Sequence, residues 1–338
     1  MTEEIGKANG HKVEGLGRLL NPLARHLKRP QKDSVAFDLE AALGAVFALR
    51  SEVPPDAFTA SILGTEREGN GILIGADGLV LTIGYLITEA ATIRLMTRGG
   101  RTVEATTIGY DFETGFGLVR ALEPIGAKPL PLGSAADLAA GATVIAAAHD
   151  ERGGAVVQQL LAKREFAGYW EYLLDEALFT SPPHPGWGGA ALLDERGRLA
   201  GLGSLFVQDA GGEARPGNMF VPIDLLGPIL QDMLRRGRPN RAARPWLGLY
   251  TTESQNHLVV AGVSDGGPAA EAGMQPGDIV MLVDDRRVRS LAEFYREVWG
   301  RGPAGVAIKL TVARSGAPRE LIVRSADRHA LLKTNRPH

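Results

Sequence analysis

Apolar positions in this chain come in short runs closed by glycine and aspartate, the rhythm of strands and turns rather than of long helices. Residues 71–74, the turn Gly75-Ala76-Asp77-Gly78 and the run 79–83 read as a hairpin. Residues 92–97, the turn Arg98-Gly99-Gly100-Arg101 and 102–109 read as another. Further short strands are predicted at 58–63, 117–121 and 142–147, around Phe179, and at 190–193 and 199–207, the last two joined by Asp194-Glu195-Arg196-Gly197. So many short strands with regular turns predict an all-β barrel or sandwich.

Helical spacing appears in few places. Leu16, Leu19, Leu20, Leu23 and Leu27 share one face, interrupted by Pro22, with Arg18, Arg25, His26, Lys28 and Arg29 elsewhere. That segment reads either as a basic amphipathic helix for a membrane surface or for subunit contacts, or as a helix packed on its own domain. Leu39, Ala42, Leu43, Val46 and Phe47 continue helical spacing over 38–50, and 223–234 reads as a helix ending in basic Arg235-Arg236. The pattern divides the chain into an N-terminal segment (1–38), a β domain (39–237), a Pro/Arg linker (238–245), a smaller α+β unit (246–325) and a tail (326–338). In the α+β unit, strands are predicted at 246–251, 257–263, 277–283, 306–313 and 320–324. A short glycine-ended helix falls at 267–273 and a Ser290-capped helix at 290–299.

Composition narrows the function classes. The 338 residues are 44% hydrophobic and 22% charged, enough for sizeable cores. The net charge of −2 gives no electrostatic case for nucleic acid. With no cysteine, disulfides and thiolate metal sites are excluded. No apolar run is long enough to span a bilayer, and 1–30 lacks the apolar core of a signal peptide. The expected location is therefore cytoplasmic if Met1 is the native start, and periplasmic if an export signal was removed.

The most informative stretch is Pro185-Gly186-Trp187-Gly188-Gly189-Ala190-Ala191-Leu192-Leu193. Gly186 and Gly189 flank a position on a tight turn before an apolar strand. An ordinary glycine-rich turn has this composition too. So does the nucleophile loop of a chymotrypsin-like serine protease, whose consecutive backbone N–H groups stabilise an oxyanion. Four other segments occur in order with it: Gly71-Ile72-Leu73-Ile74, Asp77-Gly78-Leu79-Val80-Leu81-Thr82, the later hairpin, and Asn218-Met219-Phe220-Val221-Pro222-Ile223. Together they resemble the protease domain of the HtrA (Deg) family. The segment from Trp246 to about Arg324, with Pro268-Ala269-Ala270-Glu271-Ala272-Gly273-Met274 and Gly277-Asp278-Ile279, resembles that family's PDZ domain. The resemblance covers roughly residues 40–325. It implies a mainly β fold: a chymotrypsin-like double six-stranded β-barrel, with its site between the barrels, followed by an α+β PDZ domain.

Carried over residue by residue, the resemblance places Tyr85 at the family's catalytic histidine, in Thr82-Ile83-Gly84-Tyr85. Gly115 falls at the aspartate, in Asp111-Phe112-Glu113-Thr114-Gly115, and Gly188 at the serine, with Gly186 and Trp187 in the oxyanion loop. A serine needs a base, and the base a carboxylate. Tyrosine, with an ordinary pKa near ~10, is a poor base at neutral pH, and glycine has no side chain. Other residues could take over: Ser181, Ser204, His149 and His184 lie in the neighbouring segments. As metal ligands the two histidines have only Asp150 and Glu151 as local carboxylates. The aromatic residues Phe166, Tyr169, Trp170, Tyr172 and Trp187 either close the cleft or fill a core.

In the PDZ-like unit the resemblance assigns the carboxylate loop to Trp246, Leu247, Gly248 and Leu249. An added peptide strand would lie beside Leu249, Tyr250 and Thr251, with Leu291, Phe294, Tyr295 and Val298 as helix-wall candidates, some of them plain core. The leading expectation is an HtrA-like homologue with a degenerate triad. It would bind peptides or protein C-termini through the PDZ domain, as an adaptor, scaffold or chaperone-like regulator, without metal or other cofactor. The alternatives are an active serine endopeptidase with a rebuilt triad and a purely structural subunit. By resemblance it would be a homo-oligomer, a trimer.

Overall fold

The computed structural model describes residues 6–8, 11–13, 27–149, 154–212, 214–255 and 257–333. The leucine-faced segment predicted at 16–27 lies outside the described residues except for Leu27, as do Asp150 and Glu151. The chain's own contacts divide it into two compact units. One comprises the described residues of 1–164, 176–240 and 333–338; the other comprises 165–175 and 241–332.

The first unit holds two closed six-stranded barrels. The first barrel is built from β1 (Val46–Glu52), β2 (Glu66–Leu73), β3 (Leu79–Ile83), β4 (Thr92–Met96), β5 (Thr102–Tyr110) and β6 (Phe116–Ala121), closing in the order β1-β2-β3-β6-β5-β4. The helix predicted over 38–50 is cut short. Asp38 caps α1 (Leu39–Gly44) by accepting from Ala41 N, but Val46 onward is strand. β1 pairs along one edge with β2 and along the other with β4, so both ladders claim the backbone that the apolar spacing assigned to helix. The strand predicted at 58–63 is instead a helical turn, α2 (Ala60–Leu63), closed by Gly64 at φ +75°. Its start is held by the Glu89 carboxylate, which accepts from Phe58 N, Thr59 N and Thr59 Oγ1.

The second barrel comprises β7 (Thr143–Ala147), β8 (Ala155–Gly168), β9 (Tyr172–Ser181), β10 (Ala191–Leu193), β11 (Leu199–Val207) and β12 (Gly217–Pro222), closing in the order β8-β9-β12-β11-β10-β7. Its core is aliphatic but for one ring, with Val144, Leu160, Leu178, Leu192 and Phe220 fully enclosed. The sequence pattern gave only Phe179 for the long β8–β9 hairpin. β8 carries Gln158, Gln159, Lys163, Arg164 and Glu165 among its apolar residues, which blurs the alternation. The tip of this hairpin, 165–175, groups with the second unit. After β12 comes α3 (Gly227–Arg236), ended by Gly237 in the left-handed region and carrying Arg235 and Arg236 in its last turn, as predicted.

The second unit is a sheet of β13 (Leu249–Ser254), β14 (His257–Val263), β15 (Ile279–Val283), β16 (Arg286–Arg287), β17 (Ala307–Arg314) and β18 (Ala317–Arg324). The path runs β13-β14-β15-β17-β18, with β16 beside β15. α4 (Pro268–Glu271) and α5 (Leu291–Trp299) complete it. Ser290 caps α5 by accepting from Glu293 N. The strand predicted from residue 246 begins only at Leu249, because Gly248 at φ +78° breaks the extended run. β13 is an edge of the sheet.

One buried cation braces the first barrel beneath the segment after β3. Arg67 is fully enclosed and donates to Gly64 O, Tyr85 O, Thr88 O and Thr59 Oγ1. Burial lowers its pKa to about 10, against the opposing charge of Glu89, so it remains a cation at neutral pH. Arg67→Met is expected to lower stability by about 3–5 kcal/mol, because it strips three carbonyls of their donor and strands a buried carboxylate. A denaturant titration of the full chain reads this.

Candidate functional site

Tyr85 lies in a one-turn 3-10 helix (Gly84–Leu86) directly after β3, where Arg67 holds its carbonyl. Gly84 N donates to Gly115 O at 2.7 Å, so Gly115 abuts the turn that carries Tyr85. Gly115 has φ +82° and donates its own N–H to Asp111 O. The Asp111 carboxylate ties the loop down by accepting from Thr114 N and Thr114 Oγ1. Across from this turn, the Tyr85 hydroxyl donates to Ser204 O at 2.8 Å. A Cβ placed on Gly188 would sit 2.9 Å from the Tyr85 oxygen. The three positions assigned from sequence are therefore brought together, and the phenol occupies the space where a side chain on residue 188 would begin.

Sequence reasoning missed the residue that holds the 186–189 loop. The Asn70 side-chain NH₂ donates to Gly186 O and Gly188 O, both at 2.9 Å, and its backbone N–H donates to Gly188 O at 2.8 Å. Its Oδ1 accepts from His149 N. The one available signal was an asparagine between two glycines, just before the strand predicted at 71–74. Gly189 is at φ +73°, and a Cβ there would come within 2.2 Å of Asn70 O, so the loop requires glycine at that point. Gly186 N donates to His184 Nδ1 at 2.9 Å, which uses one of the loop's amide donors internally.

His184 is not a surface histidine. It is 1% exposed, with its N–H bound to Asn218 Oδ1. His149 is partly exposed, and its Nε2 lies 3.3 Å from Thr97 O. Ser181 is buried and donates to Pro216 O, and Ser204 is buried with its carbonyl taken by Tyr85. Trp187 is 3% exposed and packs on Phe206, so it fills space in the barrel domain. Among the described residues no group of three or more His, Asp or Glu side chains could hold a metal ion.

The second unit has its own anion-binding loop, and it is filled. Leu247 N, Gly248 N and Leu249 N all donate to the Glu171 carboxylate, at 3.0, 2.7 and 3.0 Å. Glu171 is buried and sits at φ +60°. Burial pushes its pKa up, opposed by the loop's N–H donors and by Arg328. Beside it, Thr251 N of the edge strand β13 donates to Tyr169 O at 3.0 Å. The Tyr295 hydroxyl on α5 donates to Gly168 O and accepts from Glu171 N. Leu173 is buried in the same apolar core as Leu247, Leu249, Leu291, Phe294, Tyr295 and Val298. Trp246 bridges to Ala326, and the Tyr250 ring meets Tyr169. The four aromatic residues of 166–172 form one cluster: Trp170 stacks on Tyr172 at 5.6 Å, Phe166 meets Tyr172 and Tyr169 meets Trp170 edge-on, and Phe166 lies tilted against Trp170.

Residues 69–202 match the family described as trypsin-like peptidase domain, and 245–324 match the PDZ domain family. The chain is a homologue of the HtrA-type proteases. It is 25% identical over 256 residues to the serine endoprotease DegS of Haemophilus influenzae, covering 73% of this chain and 74% of that one. It is 26% identical over 310 residues to Protease Do-like 1, chloroplastic, of Arabidopsis thaliana, covering 84% and 70%. Among solved structures it is similar in fold to the HtrA-type protease AlgW with decapeptide, at a TM-score of 0.52 and 23% identity, over 86% of this chain and 97% of that one. Among the described residues of this homologue no helix is long and apolar enough to cross a membrane.

Burial holds the Tyr85 hydroxyl well above the usual tyrosine pKa. The folded state thus binds that proton more tightly than the unfolded chain does. Its contribution is complete below the ordinary tyrosine pKa of ~10 and is lost as pH rises beyond it. Tyr85→Phe is expected to cost about 1–3 kcal/mol at neutral pH by leaving Ser204 O without its donor. In an alkaline absorbance titration, the phenolate signal that this variant lacks should appear in the parent protein only together with unfolding.

Proposed function

We propose that this HtrA-type homologue does not cleave peptide bonds and that its PDZ domain holds protein C-termini, so that it works as an adaptor or chaperone-like regulator. One observation carries the first half: the Tyr85 hydroxyl is bonded to Ser204 O in the space beside Gly188. A working site needs a nucleophile there, a base to take its proton and a carboxylate to orient the base. Here residue 188 has no side chain. The group at the base position is a proton donor in its resting bond. Residue 115 offers no carboxylate. Even the loop's Gly186 N–H is bonded to His184. Loss of nucleophile and base leaves on the order of 10³–10⁴ over water, from binding and oxyanion donors alone.

The second half rests on the Trp246–Leu249 loop, whose three amides converge on a carboxylate. That is the recognition chemistry of a domain that captures a C-terminal peptide as an added strand. The relatives are named as proteases, which makes a serine endopeptidase the competing reading. Assembly into a trimer, implied by the resemblance, belongs to the same proposal and is read by light scattering.

Incubation of the purified protein with unfolded casein and with a fluorophosphonate probe decides the first half. Neither cleavage above blank nor labelling is expected, and stoichiometric labelling of one serine would overturn it. Tyr85→His, Gly115→Asp and Gly188→Ser together are expected to restore little. Asp at 115 must adopt φ +82°, at a cost of roughly 1–2 kcal/mol. Gly188→Ser alone should show no activity, because no base faces it.

A further inference from the structure

The amides of Leu247, Gly248 and Leu249 are arranged for a terminal carboxylate, yet they hold a side chain of this same protein. The Glu171 Oε1 and Oε2 atoms stand where the two oxygens of a chain end would be, with four N–H···O contacts between 2.7 and 3.2 Å. The mimicry extends beyond the carboxylate. Tyr169 O accepts from Thr251 N on the free edge of the sheet, the bond an added peptide strand would make. Leu173 enters the apolar core formed with Leu291, Phe294 and Val298, as an apolar peptide side chain would. Gly168 O and Glu171 N are both held by the Tyr295 hydroxyl. The segment is further fixed to α5 by Arg296, which pairs with Glu165 and Asp175 on either side of the tip.

The chain is not ending here, so its course must be bent to deliver the carboxylate. Glu171 does this at φ +60°, a region in which a non-glycine side chain is uncommon. Aspartate would be one methylene short of the loop, and glutamine would lose one acceptor and the charge. A carboxylate with four charge-assisted bonds is worth more than a neutral amide in the same place.

We infer that the β8–β9 hairpin tip, residues 165–175, is a built-in ligand of the PDZ groove, with the Glu171 carboxylate acting as a surrogate C-terminus. A protein C-terminus must displace it to bind. This rests on the peptide-binding reading above, and it names the regulation of that site. A tethered ligand competes at an effective concentration of about millimolar, so only chain ends that outbid the tip are admitted.

The test uses the full chain and two readouts. The first is hydrogen exchange at the amides of Leu247, Gly248, Leu249 and Thr251 in the parent protein, Glu171→Gln and Glu171→Ala. Exchange is expected to be slow in the parent and at least about tenfold faster in Glu171→Ala, with Glu171→Gln between them. Equal exchange in parent and Glu171→Ala overturns the proposal. If Glu171→Ala fails to fold, Glu171→Gln carries the same comparison, because it keeps the shape of the side chain and removes only its charge and one acceptor. The second readout is fluorescence titration with a pool of hexapeptides bearing free C-terminal valine, leucine or phenylalanine, and with the same pool amidated. Tighter binding of the free peptides to Glu171→Ala than to the parent, by about tenfold or more, supports the built-in ligand. Equal affinity for both proteins overturns it while leaving the peptide-binding reading standing. Faster exchange in Glu171→Ala with no binding of either pool supports the tip as occupant and removes the peptide-binding reading instead.

Discussion

A backbone amide turned inward must find an acceptor, and that requirement governs both loops from which this protein's function is read. In the barrel unit, the loop 186–189 is the one whose sequence resembles a protease's oxyanion loop. Here Gly186 N is bonded to His184 Nδ1, and the loop's carbonyls are pinned by Asn70. In the PDZ unit, three consecutive amides at 247–249 have the shape that receives a chain end, and here they are bonded to Glu171. An unpaired buried donor costs about 1–3 kcal/mol. A loop built to bind an anion is therefore a standing liability unless ligand, water or the chain itself supplies the acceptor. This chain supplies its own acceptor in both places.

The closure of the barrels and the loops around Tyr85, Gly115 and Gly188 depend on different residues. The second barrel's core is a set of apolar side chains, aliphatic but for Phe220, that includes none of Tyr85, Gly115 and Gly188. The loops around Tyr85, Gly115 and Gly188 are held by polar anchors: Arg67 under the Tyr85 turn, Asn70 between the 186–189 loop and His149, and Asp111 within the loop of Gly115. Tyr85 itself has become such an anchor, since its hydroxyl joins the segment after β3 to the carbonyl of Ser204 on β11.

Most of the fold was legible because its strands alternate and its turns use glycine. The hairpins around Asp77-Gly78 and Gly99-Gly100, and the strands at 199–207 and 257–263, lie where the pattern put them. The misses have physical causes. Val46 and Phe47 continue a helical spacing by sequence, but the ladder to β2 claims them, and a second ladder joins from Ala48 onward. Residues 58–63 look like a strand until the Glu89 carboxylate, far along the chain, caps their amides. The β8–β9 hairpin was invisible because its charged residues pair across long distances. Tyr85, Gly115 and Gly188 were singled out by motif order, and the structure brings them together. Glu171 could not be read at all. In sequence it is one acidic residue among aromatics, and only the fold places it against three amides.

On the proposal that the hairpin tip is a displaceable ligand, its energetics set the margin. Holding Glu171 at positive φ costs of the order of 1–3 kcal/mol. Burying its carboxylate raises the cost further, as the upward direction of its pKa indicates. Against this stand hydrogen bonds from the loop to a charged group, each worth about 1.5–3 kcal/mol net, together with the burial of Leu173 and the bond from Thr251 to Tyr169. The favourable terms exceed the costs, so the tip docks, but the strain and desolvation reduce the margin. A free chain end makes the same bonds without the bend, because its carboxylate terminates the backbone directly. On the proposal that the groove takes protein C-termini, the geometry that makes Glu171 an adequate substitute also makes it an inferior one, and an incoming chain end gains by that inequality.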